Sequence, residues 1–190
     1  MAHVEQHPKA ESGKREYSLG VPLSAFHARD RSLPKRVWYA YLHVICRLLA
    51  VGILRFRCRG REHLPRSGGA LLLANHQSYF DPLIVGLTCD RPIAAIARKT
   101  LFRFPPFRWL IESLDAIPID RGRPTLGEIK QILARLKRGQ IILMFPEGTR
   151  TSDGRIGPLN AGFCSLARRA GVPIVVMAID GAYDAWPKLR

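Results

Sequence analysis

Five short apolar runs, each bounded by turn-forming residues, constrain this chain more than any other feature. They cover residues 70–74, 93–97, 116–119, 141–145 and 173–179. They do not alternate strictly between apolar and polar residues, which is typical of strands buried on both faces of a parallel sheet. Helices are predicted between the runs, over residues 105–113, 124–137 and 162–170 and from Asp81 onward, with Asp81 at the N-cap and Pro82 at the first helical position. The sequence therefore predicts an α/β fold, a single layered domain with a largely parallel, mixed sheet flanked by helices.

The most apolar stretch lies before these runs, at residues 37–54, and is interrupted by His43 and Arg47. A spanning helix needs about 20 apolar residues with few charges. We therefore expect a helix that lies in one leaflet or packs on the domain, with an ordinary core helix as the alternative. The predicted divisions are a flexible polar tail (1–34), an apolar membrane-associated helix with a basic flank (35–61) and the main domain (62–190).

Charge limits the classes of partner. The chain has 30 basic and 15 acidic residues, a formal net charge of +15, which suits nucleic acid, an anionic membrane surface or a phosphorylated substrate. From Arg47 to Arg66, both included, there are six arginines and one acidic residue, Glu62, next to the apolar stretch. This placement favours an anionic membrane surface. The sequence has no zinc-finger spacing and no RNP-like aromatic motif, so nucleic acid is not an expected partner.

Cysteine spacing argues against a metal or disulfide framework. The four cysteines are Cys46, Cys58, Cys89 and Cys164. They form no Cys-x-x-Cys pair, so the sequence predicts reduced thiols in a cytosolic protein and no zinc site.

A histidine and a carboxylate follow the first predicted strand. Asn75 and His76 come directly after residue 74, and Asp81 follows after four further residues. Open α/β folds place their chemistry at the ends of buried strands. A turn of this length can bring the carboxylate to one imidazole nitrogen, leaving the other to accept a proton from a hydroxyl or a water. The sequence therefore predicts a general base at His76 oriented by Asp81, with helix capping as the alternative role of Asp81.

A second polar segment follows the predicted strand at residues 141–145. Pro146 ends that strand because it lacks an N–H group, and Gly148 permits a close backbone approach by a ligand. Glu147 and Arg150 flank this glycine turn, where they could hold a polar or phosphorylated head group. A surface ion pair on a loop is the alternative.

Four segments occur in order along the chain. They are Asn75-His76 with Asp81, Ile119-Asp120-Arg121, Phe145-Pro146-Glu147-Gly148-Thr149-Arg150 and Val172-Pro173-Ile174-Val175. On these blocks, residues 35–187 resemble the 1-acylglycerol-3-phosphate O-acyltransferase family, the glycerolipid acyltransferases. Two positions depart from the family's usual pattern: Asp115 stands where glycine is common, and Val176 where a second proline is common. Family members usually continue beyond the equivalent of Arg190, so we expect a short variant or an incomplete C-terminus.

The resemblance implies a reaction and a set of residues. His76 would be the general base, oriented by Asp81, and the acceptor hydroxyl would attack the thioester of acyl-CoA or acyl carrier protein without an acyl-enzyme. The residues implied to bind the acceptor are Arg121, Glu147, Gly148, Thr149 and Arg150, with Lys99 as a further basic residue. No metal or other cofactor is expected.

The resemblance also implies a substrate and a location. The expected acceptor is a lysophospholipid, 1-acyl-sn-glycerol 3-phosphate, which would give phosphatidic acid. The alternatives are another lysolipid, an amino-acid-derived lipid, or a non-catalytic lipid-binding protein of the same fold. The expected location is the cytoplasmic face of the inner or plasma membrane, with residues 62–190 as the acyltransferase domain.

Overall fold

The computed structural model describes residues 32–52, 55–120 and 124–186. The strands are Ala70–Ala74 (β1), Ile93–Arg98 (β2), Ile117–Ile119 (β3), Ile141–Met144 (β4) and Ile174–Met177 (β5). The α-helices are Leu33–Gly52 (α1), Asp81–Thr88 (α2), Pro105–Ser113 (α3), Leu126–Lys137 (α4), Gly162–Ala170 (α5) and Ala182–Ala185 (α6). Two 3₁₀ turns cover Arg61–His63 and Lys99–Arg103.

The five strands form one sheet in the order β3-β2-β4-β1-β5. All four pairings between these strands are parallel. The predicted α/β fold with a sheet flanked by helices is confirmed, and the pairings are entirely parallel rather than mixed. Because parallel neighbours need crossover connections, the helices cover the faces of the sheet and the carboxyl ends of the strands share one edge.

The central strand β1 explains why the apolar runs do not alternate. All five of its residues are buried, and successive side chains enter different hydrophobic clusters. Leu72 packs in the cluster that contains Val85 of α2, whereas Leu71 packs in the cluster that contains Ile132 of α4. Both faces of the strand are therefore covered, as the sequence predicts for a parallel sheet.

The first residues of two helices differ from those predicted from the sequence. The helix predicted from residue 124 begins at Leu126, because Thr125 caps it. The Thr125 side chain accepts a hydrogen bond from the backbone N–H of Glu128, and the Glu128 carboxylate accepts one from the backbone N–H of Thr125. The prediction that Asp81 is an N-cap is wrong: Phe80 occupies that position and Asp81 is the first residue of α2. The Asp81 carboxylate accepts hydrogen bonds from the amides of Gln77 and Ser78, which precede the helix.

Helix α1 packs on the domain through α2 and α3. The indole Nε1 of Trp38 donates to Ser113 Oγ over 3.0 Å, and the Trp38 and Trp109 ring centroids lie 5.3 Å apart. Within the described residues, none of the helices combines the length and the apolar character that crossing a bilayer would require. Residues 1–31 of the predicted tail lie outside the described residues, and the division of the chain at residues 34 and 61 stays a prediction.

Candidate active site

The site begins where β1 ends, and the side chain of Asn75 fixes that exit. Its amide nitrogen donates to the carbonyl of Ile179 over 2.8 Å, and its amide oxygen accepts from the Ile179 backbone N–H over 2.6 Å. This paired hydrogen bond ties the end of β1 to the segment after β5. Sequence reasoning gave Asn75 no role, because the pairing joins residues 104 positions apart.

His76 and Asp81 are in contact, as their spacing predicts. His76 Nδ1 lies 2.7 Å from Asp81 Oδ2, and the same oxygen accepts hydrogen bonds from the backbone N–H groups of Gln77 at 2.5 Å and Ser78 at 2.8 Å. The Asp81 side chain is fully buried, while that of His76 is 19% exposed. A carboxylate that accepts three hydrogen bonds is held in one orientation, so it fixes the imidazole ring as well.

The tautomer of His76 follows from this contact. An ionised carboxylate has no proton to donate, so Asp81 accepts the hydrogen bond from His76. The ring proton of neutral His76 therefore lies on Nδ1. Nε2 then carries the free lone pair, and it has no hydrogen-bond partner within the described part of the chain. Chemically, this arrangement can take a proton from a hydroxyl group placed against Nε2.

The second polar segment surrounds the histidine. The ring of Phe145 stacks on the imidazole, with centroids 4.0 Å apart and an interplanar angle of 15°. The backbone N–H of His76 donates to Glu147 Oε1 over 2.8 Å, and the backbone N–H of Thr151 donates to the His76 carbonyl over 2.9 Å. Residues on both sides of the glycine turn therefore hold the backbone and the ring of His76.

Glu147 uses both of its carboxylate oxygens on backbone groups. Besides the bond to His76, its Oε2 accepts from the backbone N–H of Gly157 over 3.0 Å. Gly148, between Glu147 and Thr149, has a φ of 66°, in the left-handed region that glycine occupies without strain. The structure thus shows Glu147 supporting His76, and contact of Glu147, Gly148 or Thr149 with an acceptor stays a prediction.

Arg150 lies over an aromatic ring beside the site. Its guanidinium carbon is 3.3 Å from the centroid of Tyr79, and Tyr79 in turn contacts the Trp186 ring. Nη1 of Arg150 is buried without a hydrogen-bond partner among the described residues. A guanidinium that stacks on a ring and retains an unused donor is suited to binding an anion. Sequence reasoning identified Arg150 but missed Tyr79.

Lys99 is engaged with carboxylates. Its ammonium group contacts Asp120 Oδ2 and lies 2.8 Å from Glu128 Oε1, which also accepts from the Asp120 backbone N–H over 3.1 Å. Hydrogen bonding to Asp120, followed by that to Glu128, raises the pKa of Lys99. The Lys99 hydrogen bond is likewise the largest cause that lowers the pKa of Glu128 to about 2. These contacts fix the residue before Arg121, which itself lies outside the described residues.

The described contacts join some of the predicted residues and leave others apart, with Arg150 held against Tyr79. His76, Asp81 and Glu147 are joined by direct hydrogen bonds. Lys99 is joined to Asp120 and Glu128 at the end of β3.

Comparison with known proteins identifies the family. Residues 55–180 match the family model described as acyltransferase. The chain is 33% identical to the 1-acyl-sn-glycerol-3-phosphate acyltransferase of Pseudomonas aeruginosa, over 88% of this chain and 64% of that protein. It is 30% identical to the chloroplastic 1-acyl-sn-glycerol-3-phosphate acyltransferase BAT2 of Brassica napus, over 68% of this chain and 38% of that protein.

A solved structure is also similar. The crystal structure of the 1-acyl-sn-glycerophosphate acyltransferase PlsC from Thermotoga maritima superposes with a TM-score of 0.69 and 27% identity, covering 90% of this chain and 69% of that chain. The chain spans between 38% and 64% of the length of the first curated relatives that it matches. Because the family model covers well over half of the 190 residues and the PlsC fold is shared, the chain belongs to the PlsC-like acyltransferase family.

Proposed function

We propose that this protein transfers a fatty acyl group from acyl-CoA or acyl carrier protein to the free hydroxyl of 1-acyl-sn-glycerol 3-phosphate, giving phosphatidic acid. The observation that carries the proposal is the contact of His76 Nδ1 with the buried Asp81 carboxylate at 2.7 Å, which leaves Nε2 to act as a base. Curated relatives named as 1-acyl-sn-glycerol-3-phosphate acyltransferases support the choice of acceptor.

In the proposed reaction the nucleophile is the acceptor's own hydroxyl oxygen. His76 Nε2 takes the hydroxyl proton as the oxygen attacks the thioester carbonyl carbon, and Asp81 stabilises the imidazolium that forms. The tetrahedral intermediate then collapses: the carbon–sulfur bond breaks, the new ester remains, and the departing thiolate receives the proton. No metal or prosthetic group is required, because the thioester already carries the activated acyl group.

The acceptor phosphate is assigned to the basic residues of the second and third blocks, Arg121 and Arg150. Arg150 supports this assignment with an unused guanidinium donor beside the histidine turn. Arg121 is proposed as its partner, because a guanidinium fork can meet two phosphate oxygens at once. Lys99 is proposed to act through Asp120, which it holds next to Arg121. Gly148 and Thr149 are proposed to contact the head group from the turn between Glu147 and Arg150.

We assign the protein to an anionic membrane surface, on the cytoplasmic face of the inner or plasma membrane. Arg55, Arg57 and Arg59 support this assignment because they are exposed directly after α1. Arg61 is instead engaged with the Thr88 carbonyl and with Asp90. A basic segment beside an apolar helix suits anionic head groups.

The test is acyl transfer with release of free thiol as the readout, over a panel of lysolipid acceptors and both acyl donors. His76→Ala should abolish turnover, whereas His63→Ala should not, because His63 is an exposed histidine whose side chain lies against its neighbour Glu62. Arg121→Ala should raise the KM for phosphorylated acceptors. Substantial turnover by His76→Ala would refute the general base, and a preference for a non-phosphorylated lysolipid would refute the acceptor.

A further inference from the structure

An unusually exposed apolar segment follows β2. Leu101, Phe104, Phe107 and Trp109, which we call the α3 surface, are all large apolar side chains open to solvent. Phe104 is 65% exposed and Trp109 is 61% exposed, and α3 contains no buried residue at all. A domain rarely leaves several large apolar side chains of one short segment uncovered unless the segment is a site of association.

Residue types and charge point to a lipid bilayer as the occupant. Phenylalanine and tryptophan are enriched where proteins meet the membrane interface, because their rings are apolar or amphipathic. Residues 98–113 contain four basic side chains, of which Lys99 is paired with Asp120 and Glu128 and Arg108 with Glu112, and Arg103 is exposed beside Phe104. Basic residues next to exposed aromatic residues complement anionic head groups.

The position of the α3 surface in the fold fits the same occupant. It is continuous with α1, since Trp109 contacts Trp38 and Tyr41 stacks on Trp38 in turn. Because the sheet is parallel, β2 ends at the edge where β1 presents His76, and only β4 separates these two strands. Two strand spacings amount to roughly 10 Å. The segment that carries the α3 surface therefore starts close to the strand that carries the general base.

We propose that the α3 surface docks on an anionic lipid bilayer. Docking brings to the membrane the edge of the sheet at which the parallel strands end and His76 lies. This inference rests on the proposed function in one respect: an enzyme that acts on a lysophospholipid has to reach an acceptor that lies in the membrane. The aromatic side chains enter the head-group region, while the exposed Arg103 faces the lipid phosphates.

The first experiment follows Trp109 directly in the full-length chain. The chain has three tryptophans, so Trp38→Phe with Trp186→Phe leaves Trp109 as the only one. On adding vesicles of phosphatidylcholine and phosphatidylglycerol, its emission should move to shorter wavelength and be quenched by brominated acyl chains. Vesicles of phosphatidylcholine alone should have a weaker effect. An unchanged emission would overturn the proposal, as would short-wavelength emission without vesicles, which would show that another segment or a second copy covers the surface.

The second experiment compares matched variants in vesicle sedimentation. Phe104→Ser with Trp109→Ser should weaken partitioning by about tenfold or more, because two large side chains no longer leave water. The control, Leu126→Ser with Leu159→Ser, removes two exposed leucines elsewhere and should change partitioning by about twofold or less. Equal losses in both pairs would overturn the proposal. Neither experiment requires turnover, so its failure is distinguishable from a failure of the proposed acyl transfer.

Discussion

Glu147 accepts a hydrogen bond from the backbone N–H of His76 over 2.8 Å, although 71 positions separate the two residues. Its second oxygen accepts from the backbone of Gly157. The glutamate of the third block therefore sets the position of the first block's histidine. This role differs from the head-group contact that the family resemblance implies for the same residue.

Glu147→Gln tests this positioning role. The amide keeps one acceptor oxygen, so one of the two backbone N–H groups loses its partner and faces an NH₂ group instead. Hydrogen bonds to charged groups are worth about 1.5–3 kcal/mol, so kcat should fall by about tenfold or more. The KM for the acceptor should change by less than about twofold. Steady-state kinetics separates the two parameters, and a raised KM with an unchanged kcat would instead favour a head-group contact.

Asp81→Ala should reduce both activity and stability, whereas His76→Ala should reduce activity with a smaller loss of stability. Removing the carboxylate leaves the N–H groups of Gln77 and Ser78 without their acceptor in a buried turn. Each unsatisfied buried donor costs about 1–3 kcal/mol. Urea denaturation of both variants measures the difference in the free energy of unfolding. Equal stabilities would show that the turn does not depend on Asp81.

The Glu128 carboxylate makes stability depend on pH in the acidic range. Its pKa in the folded protein is about 2, below the ordinary value of 4.5, chiefly because of the hydrogen bond from Lys99. A lowered pKa means that the contribution is complete above 4.5 and is lost as the pH falls towards 2. The Tm of the parent should therefore exceed that of Glu128→Gln near neutral pH, and the difference should shrink through this window. The Tm difference between the parent and Lys99→Met should shrink over the same pH range. A Tm difference that stays constant down to acidic pH would contradict the lowered pKa of Glu128.

Asp115 occupies a backbone conformation that favours glycine. Its φ is 58°, and it follows the end of α3, where its N–H donates to the Glu112 carbonyl and the N–H of Ala116 donates to that of Ile111. This is the Schellman pattern that ends many helices with glycine. Asp115→Gly should therefore be more stable than Asp115→Ala by about 1 kcal/mol, since both remove the carboxylate and only alanine keeps a Cβ.

A control for the Asp115 pair is Ala134, an exposed position on α4. There Ala134→Gly should be less stable than the parent by about 1 kcal/mol, because glycine disfavours a helix interior. The same sign at both positions would contradict the explanation for residue 115. The positive φ of Asp115 also explains why aspartate can stand where glycine is common in the family, because aspartate is among the few residues that tolerate a positive φ.

Local features of the fold were predictable from the sequence, because their causes lie within a few residues. The limits of α3 and α5 agree with the prediction. Proline marks the start of α3, and Gly171, in the left-handed conformation, follows the end of α5. The start of α4 can also be predicted from the sequence, because the Thr125-x-x-Glu128 pattern is typical of a capping box, whereas Pro124 alone suggests a start two residues too early. The Asp81 cap was mispredicted because proline at the next residue suits either of the first two helical positions.

Features that join distant segments were not predictable in the same way. The order of the strands, the bond from Asn75 to Ile179 and the stacking of Phe145 on His76 all depend on which runs become neighbours in space. Residue types identify His76 and Glu147 as polar groups at strand ends, but the pairing between them exists only after β4 lies beside β1. Exposure of α3 is similarly a property of the whole fold, because it depends on which other elements pack against that helix.

The bond between His76 and Glu147 also affects when the protein can become active during folding. Closing a chain segment of 71 positions is entropically costly and precedes any orientation of the histidine backbone by the glutamate. The turn after β1 can form early by itself through Asp81, but the hydrogen bonds of Glu147 to His76 and Gly157 require the chain to have been synthesised beyond Gly157. Catalytic competence should therefore emerge late in refolding, after most of the helical signal has recovered.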